Sequence, residues 1–220
     1  MKHIITFWHE HPFTMNFWAL MAIPAFNIIP YGADFRLQLK IFFFIQLIFG
    51  TNVLWFGCRD RGFRTVAKIL GVCGVIGYFV GITDIDAPVA LTLSTGYFLG
   101  LVWVTFRRAI HYVDHTKEAL MATISGFILI ALTGFFSFQI IENIYPGSFV
   151  NLVTNNPAHI DDLFYYAFVT IMTIGYGDVV AVSWPARNAM ILMALTGYLY
   201  SLIFIARMVS NYQNTAKKKQ

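Results

Sequence analysis

Six long stretches of this chain are almost free of charged residues: about 13–31, 37–57, 65–83, 88–106, 118–142 and 186–208. A helix that crosses the hydrocarbon core of a bilayer needs about 20 mostly apolar residues, with about 17–25 acceptable. Each stretch falls in that range. Lipid offers no hydrogen bonds to the backbone, so such segments must satisfy their own amides and carbonyls as helices. The composition agrees with this reading. Hydrophobic residues make up 58% of the chain and charged residues only 12%, against about 25% charged in an ordinary soluble domain. Disordered, collagen-like and disulfide-scaffold classes are excluded by the same numbers. The expected fold class is an all-α membrane protein with six transmembrane helices.

The charges that remain are grouped. The net charge of +4 comes from clusters at Arg59–Arg64 with Lys68, at Arg107-Arg108 through Lys117, and at Lys217–Lys219. Cytoplasmic loops carry the excess of Lys and Arg. The clusters then predict a multi-pass protein of the cell membrane with both termini cytoplasmic. Arg36, beside Asp34 in an outer loop, is a minor exception, and Lys40 is expected to snorkel outward. A basic balance spread this way reads as topology and predicts no nucleic-acid partner. Residues 1–12 have a short apolar run broken by His9, Glu10 and His11, so no cleavable signal peptide is expected. Phe7 and Trp8 suit either a short interfacial helix or a plain terminus. Cys58 and Cys73 match neither a metal site nor a disulfide pair and read as small apolar fillers. No cofactor and no enzymatic constellation is expected.

Residues 143–185, between the fifth and sixth stretches, are less apolar and too long for a simple connection in a bundle, so a function is expected there. Residues 170–178 read Thr-Ile-Met-Thr-Ile-Gly-Tyr-Gly-Asp. An ion that enters a narrow pore loses its water shell, and inward-pointing backbone carbonyls must replace it. Successive carbonyls point the same way only if alternate residues visit φ > 0, which glycine does at little steric cost. Gly175 and Gly177 supply that freedom, Ile174 and Tyr176 can pack behind the strand, and Thr173 can add a hydroxyl oxygen at the inner end.

The segment from about 142 to 207 resembles the potassium channel family, whose filter core is Thr-Val/Ile-Gly-Tyr-Gly-Asp. The resemblance does not by itself cover residues 1–117. It implies a re-entrant pore helix and selectivity filter between the fifth and sixth helices, with Thr173, Ile174, Gly175, Tyr176 and Gly177 lining the path of K+. One filter strand per chain implies a homotetramer. The pore helix is expected from Asp162 to Thr173, with Asp161 or Asp162 as its N-cap. Its negative C-terminal end would favour a cation in the cavity. The resemblance gives Tyr165 and Tyr166 the place of an aromatic cuff around the filter. Asp178 closes the filter, Glu142 matches an acidic brace of the outer pore, and Arg187 lies near the outer start of the inner helix. Gly197 matches a gating-hinge glycine, and a helix-packing glycine is an equal alternative. Val169 and Met172 depart from residues often found there, and Tyr198 and Tyr200 predict an unusual cavity lining.

The first four stretches resemble a voltage sensor only in number. A sensor helix carries several Arg or Lys at every third position within the membrane. The fourth stretch has none before Arg107 and Arg108. A degenerate sensor and an unrelated four-helix unit both remain open. The expected organisation is a cytoplasmic N-terminus at 1–12, a four-helix domain at 13–117, a pore domain at 118–208 and a basic cytoplasmic tail at 209–220. His111 and His115, one turn apart, read as a solvated linker face or as a pH sensor. The expected function is passive, potassium-selective conduction without steep voltage gating. The alternatives are a nonselective cation channel, a subunit of a potassium transport system, and a membrane scaffold with a vestigial pore. The intact Gly175-Tyr176-Gly177 in a single copy weighs against all three.

Overall fold

The computed structural model describes residues 11–28, 35–56, 61–83, 88–111 and 117–217. These form six long helices and one short one: α1 Pro12–Ile28, α2 Phe35–Phe56, α3 Arg61–Thr83, α4 Pro88–His111, α5 Lys117–Ile144, α6 Ile160–Ile171 and α7 Trp184–Lys217. Four of them contain stretches long and apolar enough to cross a membrane: Arg36–Leu54, Pro88–Arg107, Leu120–Ile144 and Trp184–Phe204. The protein is an all-α membrane protein in this sense. Two proline positions follow helix rules. Pro88 opens α4, where its missing N–H costs nothing. Pro24 lies inside α1, which continues to Ile28. α7 continues to Lys217, through most of the segment expected to be a tail. The expected N-terminal interfacial segment, Cys58 and His115 fall outside the described residues, so the His111–His115 pair does too.

Side chains set into glycine slots align the helices. On α3 and α4, Leu70 fills the slot at Gly100, Tyr97 the slot at Gly74, and Leu93 the slot at Gly77. Numbers that rise on one helix and fall on the other make the pair antiparallel. A Cβ at Gly74 would lie 2.5 Å from the Tyr97 ring, so glycine is what lets α3 approach. The Tyr97 hydroxyl crosses to α2 and donates to the Gln46 carbonyl at 3.1 Å. α5 and α7 repeat the arrangement, with Met193 against Gly134 and Tyr200 against Gly126. Small residues at interfaces allow such approach where lipid supplies no hydrophobic drive between helices.

Phenylalanines carry the core from one unit to the next. Phe98 of α4 stacks on Phe136 of α5 at 5.3 Å, and Phe43 of α2 lies 5.0 Å from Phe136. Phe135 then meets Phe164 of α6 edge-on at 5.3 Å. Centroid separations of this size are favourable for aromatic pairs. Lys40, expected to snorkel, lines a cavity of about 40 Å³ together with Tyr78, Ser94 and Tyr97.

One element was not expected from the sequence. Three short strands, β1 Phe149–Asn151, β2 Asn156–Pro157 and β3 Val179–Ala181, form an antiparallel sheet in the order β2-β1-β3. Val150 pairs with Val180. The sheet ties the chain leaving α5 to the chain entering α7, on either side of the 170–178 segment.

Candidate functional site at residues 160–178

α6 is a single short helix of 12 residues, Ile160–Ile171. At a 1.5 Å rise that is roughly 18 Å, about half a bilayer. Its N-cap is His159 and not, as expected, Asp161 or Asp162, which lie in the first turn. The Asp162 carboxylate instead reaches back to accept the His159 backbone N–H at 2.9 Å, which satisfies an orphan donor of the helix start. Its other oxygen accepts from the Asn151 amide at 2.8 Å. Both carboxylates sit at the positive end of the helix dipole.

The chain leaves α6 with its amides turned back on the helix. Thr173 N–H donates to the Thr170 carbonyl at 3.0 Å, and Ile174 N–H to the Val169 carbonyl at 2.9 Å. The Gly175 N–H also points at Val169, at 3.4 Å. From there φ alternates. Thr173 (+57°), Gly175 (+56°) and Gly177 (+78°) are left-handed, and Ile174 and Tyr176 between them are not. Alternation of this kind is the backbone pattern that allows successive carbonyls to point to one side of a strand. Among the described residues, no hydrogen bond is made to the carbonyls of residues 173–177. A row of backbone acceptors is thus left without a partner within the chain. All five residues are exposed in the single chain, with Tyr176 71% exposed.

Positive φ at Thr173 was not foreseen. A β-branched residue there is a genuine outlier, and such strain costs on the order of 1–3 kcal/mol. Gly175 and Gly177 adopt the same region without a Cβ, as their positions predict.

The remaining expected residues divide into those that meet the strand and those that support it from behind. Tyr165 is exposed in the single chain and lies within electrostatic reach of Asp178. Tyr166 faces the other way and is buried, its ring 5.5 Å from Phe138 of α5 and 5.7 Å from Phe149 of β1. Tyr165 thus neighbours Asp178, whereas Tyr166 is set against α5 and the sheet, with its hydroxyl near Thr170 and the Ala181 backbone. Asp178 also accepts the Val179 N–H at 3.0 Å, and its carbonyl accepts from Leu152 at 2.7 Å. Glu142 ends α5 as a brace: its carboxylate accepts the N–H of Gly147 at 2.6 Å and of Phe149 at 3.0 Å. Gly147 takes φ +79° to make that turn.

Ser183 caps α7, its hydroxyl accepting from Ala186 at 3.3 Å, and Arg187 donates to the Ala181 carbonyl at 3.2 Å. Val169 is buried and Met172 exposed. Gly197 packs directly against Ile171 at the foot of α6, in an α7 that runs through it without a break.

Residues 123–214, which include all of this site, match the family model described as Ion channel. No solved structure matches the chain. The match runs through α5, α6 and α7 and supports an ion-channel domain there; the family it points to is one of channels and not of enzymes.

Proposed function

We propose that this protein is a potassium-selective channel in which four copies of the 173–177 strand surround one conduction path. The observation that carries the reading is the alternation of left-handed φ at Thr173, Gly175 and Gly177 in a segment whose carbonyls are open and whose first three amides are turned back on α6. A ring of such carbonyls replaces the hydration shell of K+. The C-terminus of α6 adds negative potential below it.

One strand cannot encircle an ion, and α7 supports assembly. Only 17% of its apolar window is buried in the single chain, against 67% for α5. Ile191, Leu192, Leu195, Tyr198, Leu199 and Leu202 are exposed on it. In the proposed tetramer these residues meet neighbouring copies or line the cavity. The six long helices each cross the cell membrane once, α6 is re-entrant, and the basic clusters put both termini in the cytoplasm. Residues 13–117 form a four-helix domain beside a pore domain at 118–208, and K+ is the conducted species and not a cofactor.

The assembly is tested by native mass spectrometry of the purified protein, together with conduction in bilayers. A tetramer is expected. A monomer or dimer that conducts would overturn the reading.

A further inference from the structure

α7 is largely bare, so the few contacts that hold it to its own chain matter. Among its described side chains, the buried residues Ala186, Met193, Gly197 and Tyr200 form one stripe, with the i, i+3, i+4, i+7 spacing of a helix face. Met193 and Gly197 meet α5 and α6. Tyr200 does more. Its hydroxyl donates to the Thr123 carbonyl of α5 at 2.8 Å and occupies the slot left by Gly126. Its ring lies 6.1 Å from Phe106 of α4 and 6.4 Å from Phe127 of α5. Thr105 of α4 borders the same slot, its Oγ1 3.3 Å from where a Gly126 Cβ would be.

A space-filling ring at this position would need no hydroxyl. A buried phenol requires a partner, and here glycine at 126 makes room for the hydroxyl and the Thr123 carbonyl receives it. The side chain thereby joins three helices. Tyr200 is also three residues beyond Gly197 on the same face of α7. The helix is clamped to the foot of α6 at one point and to α4 and α5 at the next. Any displacement of the lower part of α7 must break the Tyr200 contacts or carry the end of α4 with it.

We propose that Tyr200 is a positioning residue that couples the α1–α4 unit to the pore-lining helix, so that the seating of α4 biases the open–closed equilibrium. This rests on the channel reading above. Coupling between two elements is a free energy, and disturbing either side must shift the same equilibrium.

The test is single-channel recording of the full-length protein in planar bilayers, with Tyr200→Phe, Phe106→Leu and the double variant. Each single variant is expected to shift open probability by roughly fivefold in the same direction, the scale of one buried hydrogen bond or weak coupling. The double variant is expected to shift it no further, because contacting residues acting through one joint are non-additive. Unitary conductance and the preference for K+ over Na+ are expected to stay unchanged. Unchanged open probability in both single variants, or shifts that simply add, would overturn the proposal. Should Tyr200→Phe fail to assemble, Phe106→Leu against the unmodified protein decides by the same readout. A failure of the channel reading is distinguishable, because the unmodified protein would then show no K+ preference, and the coupling proposal would fall with it.

Discussion

Gly197 of α7 rests against Ile171, the last residue of α6. A Cβ at Gly197 would collide with Ile171 Cγ1 and lie 3.2 Å from the Ile171 carbonyl oxygen. The second contact involves backbone, which cannot rotate away. Gly197→Ala is therefore expected to push α7 from the foot of α6 at a cost of about 1–3 kcal/mol, the range for overpacking. Ile171→Ala added to it removes the side-chain clash but not the backbone one. Thermal melts of the detergent-solubilised assembly should show a drop in Tm for Gly197→Ala and partial recovery in the double variant. Full stability in Gly197→Ala would contradict the packing role.

Glu142 holds the turn after α5 through two amides. Glu142→Gln replaces one acceptor oxygen with an NH2 facing an N–H. Hydrogen bonds to a charged group contribute about 1.5–3 kcal/mol each, so the turn should open locally. Hydrogen exchange at Gly147 and Phe149 should accelerate strongly, with little change in the middle of α5. Protection that stays at the wild-type level would show that the carboxylate is dispensable.

Gly175 has open space around it in the single chain, with nothing within 4 Å of an added Cβ. The obstacle to Gly175→Ala is the backbone, at φ +56°. An L-residue there is strained by roughly 1–2 kcal/mol, and four copies would carry that strain in the proposed assembly. The variant should insert and assemble but lose K+ flux. Wild-type flux in Gly175→Ala would mean that the alternation of φ is not needed for conduction.

Steep voltage gating is expected to be absent. Moving one charge through 100 mV is worth about 2.3 kcal/mol, and steep gating takes about three to four charges per subunit. α4 runs from Pro88 to His111 with no charged residue before Arg107. Recordings over about ±100 mV should give a shallow dependence of open probability on voltage. A steep sigmoid that flattens when Arg107 and Arg108 are neutralised would reverse this view of the first four helices.

What could be read from the sequence was whatever has a strong local signal. Long apolar runs gave six of the seven helices to within a few residues, apart from the extension of α7. The short helix α6 was expected from the resemblance of 170–178 to a potassium-channel filter, and it lies two residues earlier than the expected 162–173. The exact start of α6 was missed. The rule for caps favours Asp, yet Asp162 does its work from the third position while His159 takes the cap. The three strands were missed because segments of two or three residues show no alternation. Left-handed Thr173 ran against every propensity of a β-branched residue. The division of labour between Tyr165 and Tyr166 depended on helical phase relative to α5, and the Tyr200 joint depended on three helices meeting. Neither is a property of any local stretch.

The claim that the carbonyls of 173–177 select K+ is tested most directly by ion flux. The purified protein would be reconstituted in liposomes, and ion efflux compared under matched K+ and Na+ gradients. The account predicts rapid K+ flux and little Na+ flux. Equal flux of the two ions through the unmodified protein would contradict it.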